Sequence, residues 1–209
     1  GVSFWGYDLG GFYNTGYIGN EERPNIEDYL SSVQMGLWMP LSRAHGKTPR
    51  EPWQYGDMAL KEVKKWINFR HRLVPYLYHT ACQTHQSGIP MIRPLVMEYP
   101  KDPIAKIQNL SYMLGDALLI SPGFDRDEYE LYLPEGRWQD IESKEVYEGM
   151  TFVHIENKAF ADGGTSLRVF QKEGTSIPLF AQKEVLHVPA QLWKQEDLEF
   201  MTFQKKDVD

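Results

Sequence analysis

A 209-residue chain with a formal net charge of −7 and a pI near 5.4 is too acidic for nucleic acid or an anionic membrane to be its main partner without a strong local basic patch. Its 42% hydrophobic and 24% charged content are those of an ordinary globular protein, long enough for one large domain or two small ones. The 13% aromatic share leaves rings to line a site for flat or ring-shaped ligands, although core packing is their commoner use.

The chain opens on Gly1 to Phe12, an apolar and aromatic run that delivers Asp8 into the pair Gly10-Gly11. This reads as a buried strand whose carboxyl end turns into a loop. Two readings of Asp8 stand. In α/β barrels polar groups at such strand ends face the active site, and an Asp before glycines also caps a turn through its own side chain. The chain does not begin with Met and starts inside the strand, which suggests a piece of a longer polypeptide; no secretory signal is expected in its first residues.

Tyr13 to Pro24 is a Gly, Asn and Thr loop, and Asn25 is placed to cap a helix starting at Ile26. Ile26, Tyr29, Leu30, Val33 and Leu37 share one helical face, acids occupy the first turn, and Pro40 stops the pattern. Met39 to Ser42 then leads into Arg43-Ala44-His45-Gly46, a second buried strand ending in its own loop. Strand, helix, strand is the α/β signature and predicts parallel pairing, with Asp8 and His45 emerging at one end of one sheet. By strand alternation Arg43 points to the same side as His45. It either pairs with Asp8 at the site or forms a salt bridge that merely supports the fold. The loop Lys47 to Gly56 is long enough to fold over the strand ends.

From Asp57 a helical pattern presents Leu60, Val63, Ile67, Leu73, Val74 and Leu77. The basic residues of Lys61 to Arg72 are interleaved with apolar ones and read as a solvated face, not a phosphate site. Pro75 kinks or divides the helix, and Gly88 caps its end. A single cysteine, Cys82, excludes an internal disulfide and fits either core filling or a reducing compartment, with a cytoplasmic, bacterial-like setting as the expectation. No run approaches the length of a transmembrane helix.

Beyond Gly88 the character changes. Met91 to Pro100 reads as extended, Pro103 to Met113 as a short helix or turn, and Ala117 to Pro122 as a strand. Short strands follow at Tyr129 to Leu133, Trp138 to Ile141, Met150 to Ile155, Ser166 to Gln171, Ile177 to Phe180, Val185 to Val188 and Leu198 to Phe203. Close spacing of this kind suggests an antiparallel β-sandwich. The fold class is therefore α/β plus all-β, with residues 1–89 in the first domain and 90–209 in the second.

Several segments together resemble family 31 of the glycoside hydrolases: Phe4 to Phe12, Arg43-Ala44-His45-Gly46, Arg72 to Tyr78, Arg93-Pro94-Leu95 with Glu98-Tyr99-Pro100, Met113 to Leu119, and Tyr132 to Trp138. The resemblance runs from residue 1 to about residue 180, where Phe170 to Leu179 is similar to the family's segment before the sandwich closes. It implies the last strands and helices of a (β/α)8 TIM barrel followed by a proximal β-sandwich. It also implies a retaining enzyme of α-linked glucosides or xylosides that needs no metal or organic cofactor.

On this resemblance the nucleophile and the acid/base aspartate lie on earlier barrel strands, so no catalytic residue is expected within the segment. His45 corresponds to a histidine that hydrogen-bonds sugar hydroxyls, with a core histidine as the plain alternative. Asp8 corresponds to a pocket-floor aspartate facing His45, and Trp5 and Phe4 either wall the pocket or pack in the core. The expected partners are an oligosaccharide or glycoside substrate and the remainder of the same barrel, with homo-oligomerisation left open. A non-catalytic carbohydrate-binding or interaction module is the alternative function.

Other constellations fail. His79 and His85, six residues apart, do not share a helix face, which speaks against zinc. Gly10-Gly11 lacks the rest of a dinucleotide fingerprint, and Ser42 with His45 lacks a nucleophile elbow.

Overall fold

Strand β1, Gly6–Leu9, lies parallel to β2, Leu41–Ala44, in the computed structural model, which describes residues 2–12, 24–123, 127–156, 167–181 and 193–205. Helix α1, Ile26–Gly36, connects them. Asn25 caps it as its spacing requires: the side-chain oxygen accepts from the Asp28 amide at 2.8 Å. Tyr29, Leu30 and Val33 are buried against Leu9 and against Ala59 and Val63 of the next helix. Beyond the end of α1, Arg70 donates to the carbonyl of the cap residue Leu37 and to those of Met39 and Pro40 in the turn that leads to β2. Burial pushes its pKa down to about 10, so it stays charged at neutral pH.

The expected burial of the two strands is not found. Phe4 is 46% exposed, Trp5 37% and Leu41 60%. Among the described residues β1 and β2 have only each other as strand neighbours, so one edge of each strand is left without a strand partner.

Helix α2, Asp57–Arg72, and helix α3, Val74–Ser87, meet at Leu73, with Pro75 in the first turn of α3, where its missing N–H costs nothing. The proline divides the pattern. Gly88 ends α3 in the left-handed region at φ 75°. Leu60 turns outward, off the apolar face expected for it, and Cys82 is exposed and fills no core. No helix among the described residues is long and apolar enough to cross a membrane.

The second half consists of antiparallel sheets. A six-stranded sheet runs in the order β3 (Ile92–Pro94), β4 (Tyr112–Leu114), β5 (Leu118–Pro122), β10 (Leu167–Lys172), β7 (Arg137–Asp140) and β8 (Val146–Glu148). Two ribbons accompany it: β6 (Glu128–Leu133) with β9 (Thr151–Glu156), and β11 (Thr175–Phe180) with β12 (Leu198–Phe203). The stretch expected to be extended after Pro94 instead forms the short helix α4, Leu95–Glu98, and β8 has no counterpart in the sequence reading. The strand expected at Val185 to Val188, most of the loop after Phe12 and the end beyond Lys205 lie outside the described residues.

Strand alternation explains why β5 is buried along its whole length. Leu118 and Ile120 join Val169, Ile177, the helical residues Tyr76 and Leu77, Leu73 between α2 and α3, and Trp38 after α1 in one core. Leu119, one residue out of phase, joins Met113, Phe170, Trp138 and the β6–β9 residues Leu131 and Val153 in another. The first core crosses the division expected at residues 89 and 90. The Tyr76 hydroxyl strengthens it, donating to the Leu114 carbonyl at 2.6 Å and accepting from the Ala117 amide at 3.2 Å. Burial raises that phenol's pKa to about 12, which keeps the donor in place. Arg72 adds a bond from Nε to the Phe180 carbonyl at 3.0 Å and an ion pair with Glu199.

Arg93, buried in β3, reaches Asp116 at 2.6 Å through its terminal nitrogen. Its Nε lies 2.7 Å from Glu98, a charge contact whose angle is not that of a hydrogen bond.

On the outer face of the β6–β9 ribbon, His154 Nδ1 lies 2.9 Å from Glu130 and Nε2 3.6 Å from Glu128. The hydrogen bond to Glu130 raises the imidazole pKa above its ordinary 6.5. A raised value means stabilisation that is complete below the unfolded pKa and lost as pH rises through the folded one. His154→Gln is therefore expected to lower the urea midpoint at about pH 5.5, with the gap to wild type closing by about pH 8.5. A gap that widens with pH refutes the pairing.

Candidate functional site

Parallel register sets Asp8 opposite Arg43 and Leu9 opposite Ala44, so both strands release their loops at the same level. Asp8 does not cap its turn with its side chain. The backbone closes that turn, Gly11 N–H to the Asp8 carbonyl at 2.8 Å, and the carboxylate instead accepts from Arg43 Nε at 2.6 Å. The turn needs positive φ at Gly10 (83°) and Gly11 (76°), conformations that cost other residues strain.

The loop after β2 answers it. Lys47 N–H donates to the Phe12 carbonyl at 3.1 Å, and the Phe12 ring lies 5.3 Å from that of His45. β2 ends at Ala44, so His45 stands on the loop, exposed, and the strand alternation expected to align it with Arg43 does not extend that far. Nor do Asp8 and His45 form the facing pair the sequence suggests: the partner of Asp8 is Arg43, and His45 packs against Phe12. Phe4 and Trp5, partly exposed, precede β1 at the opposite end of the strand from Asp8.

Sequence reasoning passed over Arg50 and Tyr29 at this site. Arg50 is only 5% exposed and donates from Nε to the Gly11 carbonyl at 2.8 Å, while Tyr29 donates its hydroxyl to the Arg50 carbonyl at 2.8 Å. Burial raises the Tyr29 pKa, so its hydroxyl remains a donor. The Tyr29 ring stacks on Tyr55 at 3.8 Å, which holds the 3-10 turn Pro52–Tyr55 against α1 and leaves Trp53 63% exposed. The only available signal is the run Arg50-Glu51-Pro52-Trp53, where a charged residue precedes a proline-aromatic turn.

Chemically, the strand ends offer a carboxylate already neutralised by a guanidinium, an imidazole with one donor and one acceptor, and nearby aromatic faces. Such a set suits hydrogen bonding to a neutral polyhydroxylated ligand better than binding an ion. Among the described residues no three His, Cys, Asp or Glu side chains converge as metal ligands. A cavity of about 430 Å³ opens elsewhere, between α2 and strands β7 and β10, with Trp38, Phe69, Arg70, Ile141 and Arg168 in its wall. None of Asp8, Arg43, His45 or Arg50 lines it. The strand ends, where polar groups converge, are the better candidate site.

Comparison with known proteins agrees with this arrangement. The family model described as "Glycosyl hydrolases family 31 TIM-barrel domain" matches residues 1–80, and that described as "Glycosyl hydrolase family 31 C-terminal domain" matches residues 88–184. Neutral alpha-glucosidase AB of Homo sapiens is 33% identical over 185 residues, covering 85% of this chain and 18% of that protein. An alpha-xylosidase of Saccharolobus solfataricus is 31% identical over 187 residues, 87% of this chain and 24% of that one. The structure of a Flavobacterium johnsoniae family 31 dextranase complexed with glucose superposes with a TM-score of 0.74 at 32% identity, over 86% of this chain and 22% of that chain. The chain thus spans about a quarter or less of the length of these relatives. A TIM-barrel portion continued into a C-terminal domain of mostly antiparallel sheets is the class these findings define. The chain belongs to glycoside hydrolase family 31.

Proposed function

We propose that this chain works as the carboxy-terminal segment of a retaining glycoside hydrolase that cleaves α-linked glucosides or xylosides. In this reading β1 and β2 are the last two strands of a (β/α)8 barrel, and the antiparallel sheets form the proximal β-sandwich. The observation that carries it is the coincidence of two family matches in order with a parallel strand pair whose carboxyl ends present Asp8, Arg43 and His45 together. Retaining hydrolysis needs two carboxyl groups about 5–5.5 Å apart. Asp8 is committed to Arg43, so its part is to accept from a sugar hydroxyl or to hold its neighbours in place, while His45 hydrogen-bonds the sugar. The reacting carboxylates come from other barrel strands. The bare edges of β1 and β2 and the exposed Phe4, Trp5 and Leu41 suit a chain completed by those strands.

The isolated 209-residue chain is expected to show no turnover of aryl α-glucosides or aryl α-xylosides, while the complete enzyme hydrolyses at least one of them. Turnover by the isolated chain at enzyme-like rates overturns the assignment.

A further inference from the structure

We propose that Arg50 is a positioning residue that locks the two loops of the sugar-binding face to one another, resting on the glycosidase reading above. A buried arginine is costly unless its donors find acceptors, and here Nε and one terminal nitrogen reach acceptors in both loops. Nε donates to Gly11 O, at the turn after β1, at 2.8 Å. One terminal nitrogen donates to the carbonyls of Thr48 (3.2 Å) and Pro49 (3.1 Å) and to the Thr48 hydroxyl, all within the loop after β2. The residue's own carbonyl is held by Tyr29, so α1 anchors the clamp from behind.

Two glycines make room for it. A Cβ on Gly10 would lie 2.8 Å from Arg50 Cδ and 2.9 Å from the Tyr29 ring. One on Gly46 would lie 2.9 Å from Arg50 Cγ and Nε and 3.1 Å from the Gly11 carbonyl. Gly46 adjoins His45, and Gly10 lies two residues beyond Asp8. The guanidinium therefore sets the separation of the backbone segments that carry both sugar-facing groups, without lying among the groups that face the sugar. Asp8 and Arg43 tie the strands together, but that pair is exposed on the arginine side, at 69%, and solvent screens surface pairs of this kind. The buried clamp is the stiffer link.

The test is Arg50→Lys in the complete enzyme, since lysine keeps the charge but cannot reproduce the planar fork. The expected result is a fall in kcat/KM of about 10- to 100-fold. KM for an aryl glycoside and the inhibition constant of the product monosaccharide should rise in parallel, by about tenfold, as a displaced binding loop requires. An arginine that serves folding alone would lower the active fraction and leave both KM and the inhibition constant unchanged, and that outcome overturns the proposal. Should Arg50→Lys not fold, Gly46→Ala displaces the clamp from its other side, and unchanged KM there is equally decisive against it. Failure of the wild-type enzyme on every α-glycoside sinks the glycosidase reading and the clamp's role with it. Wild-type turnover with an unaltered KM in folded variants sinks the clamp alone.

Discussion

Asp8→Asn in the complete enzyme is expected to lower kcat/KM by about 10²–10³-fold, with kcat and KM both affected. Asp8 lies one residue before the end of β1, and its carboxylate accepts from Arg43 Nε at 2.6 Å. Asparagine keeps the shape but removes the charge, so the Arg43 guanidinium loses its counter-ion at the strand ends. Hydrogen bonds to sugar hydroxyls that strengthen in the oxocarbenium-like transition state supply several kcal/mol, and each 1.36 kcal/mol is about tenfold in rate. Stability should change little, by less than about 1 kcal/mol, because Arg43 is largely in solvent. Steady-state kinetics with and without added azide checks the assignment. Rescue of Asp8→Asn by azide marks a missing reacting carboxylate and places Asp8 in the wrong role.

The largest loss of stability is expected at Trp138. Its side chain is fully buried at the centre of the β6, β7 and β10 core, and its indole N–H donates to the Pro134 carbonyl at 2.8 Å. Trp138→Ala leaves a cavity the sheet cannot collapse into and strips that carbonyl of its donor, at about 3–5 kcal/mol. That is a large part of an ordinary domain's margin of about 5–15 kcal/mol. Trp138→Phe keeps most of the ring and loses the hydrogen bond, so about 1–2 kcal/mol is expected. Urea denaturation of the complete enzyme, followed by near-UV circular dichroism, separates the two. A loss below about 1 kcal/mol for the alanine variant contradicts the packing described.

The local features were legible because their causes are local. Asn25, the apolar face of α1 and the acids of its first turn lie within a few residues of one another, and Pro75 fits only the first turn of a helix, so it divides a longer helical pattern. The continuous apolar run Leu118-Leu119-Ile120 likewise predicts a strand. The order of elements was enough for the parallel pairing of β1 and β2, and with it the meeting of Asp8 and Arg43. Burial was a different matter. Phe4 and Trp5 read as pocket wall or core, and Leu41 as part of a buried strand, because they are apolar, yet burial depends on neighbouring strands, which local pattern cannot supply. β8 and α4 are too short to carry a period. Arg50 is the instructive miss at the site: an arginine in a Pro-containing loop reads as solvated, and only the folded loops reveal carbonyls placed to take its donors. His45 escaped the predicted alternation because β2 stops one residue earlier.

The Tyr76 hydroxyl bridging Leu114 and Ala117 bears on how this enzyme family can be recombined. A sequence boundary near Gly88 invites the exchange of one relative's carboxy-terminal domain for another's, as if the two parts were modules. Yet Gly115, between the two residues that Tyr76 bonds, would place a Cβ 2.4 Å from that hydroxyl. An exchange cut near Gly88 would therefore part a helix and a β4–β5 turn that are fitted to each other.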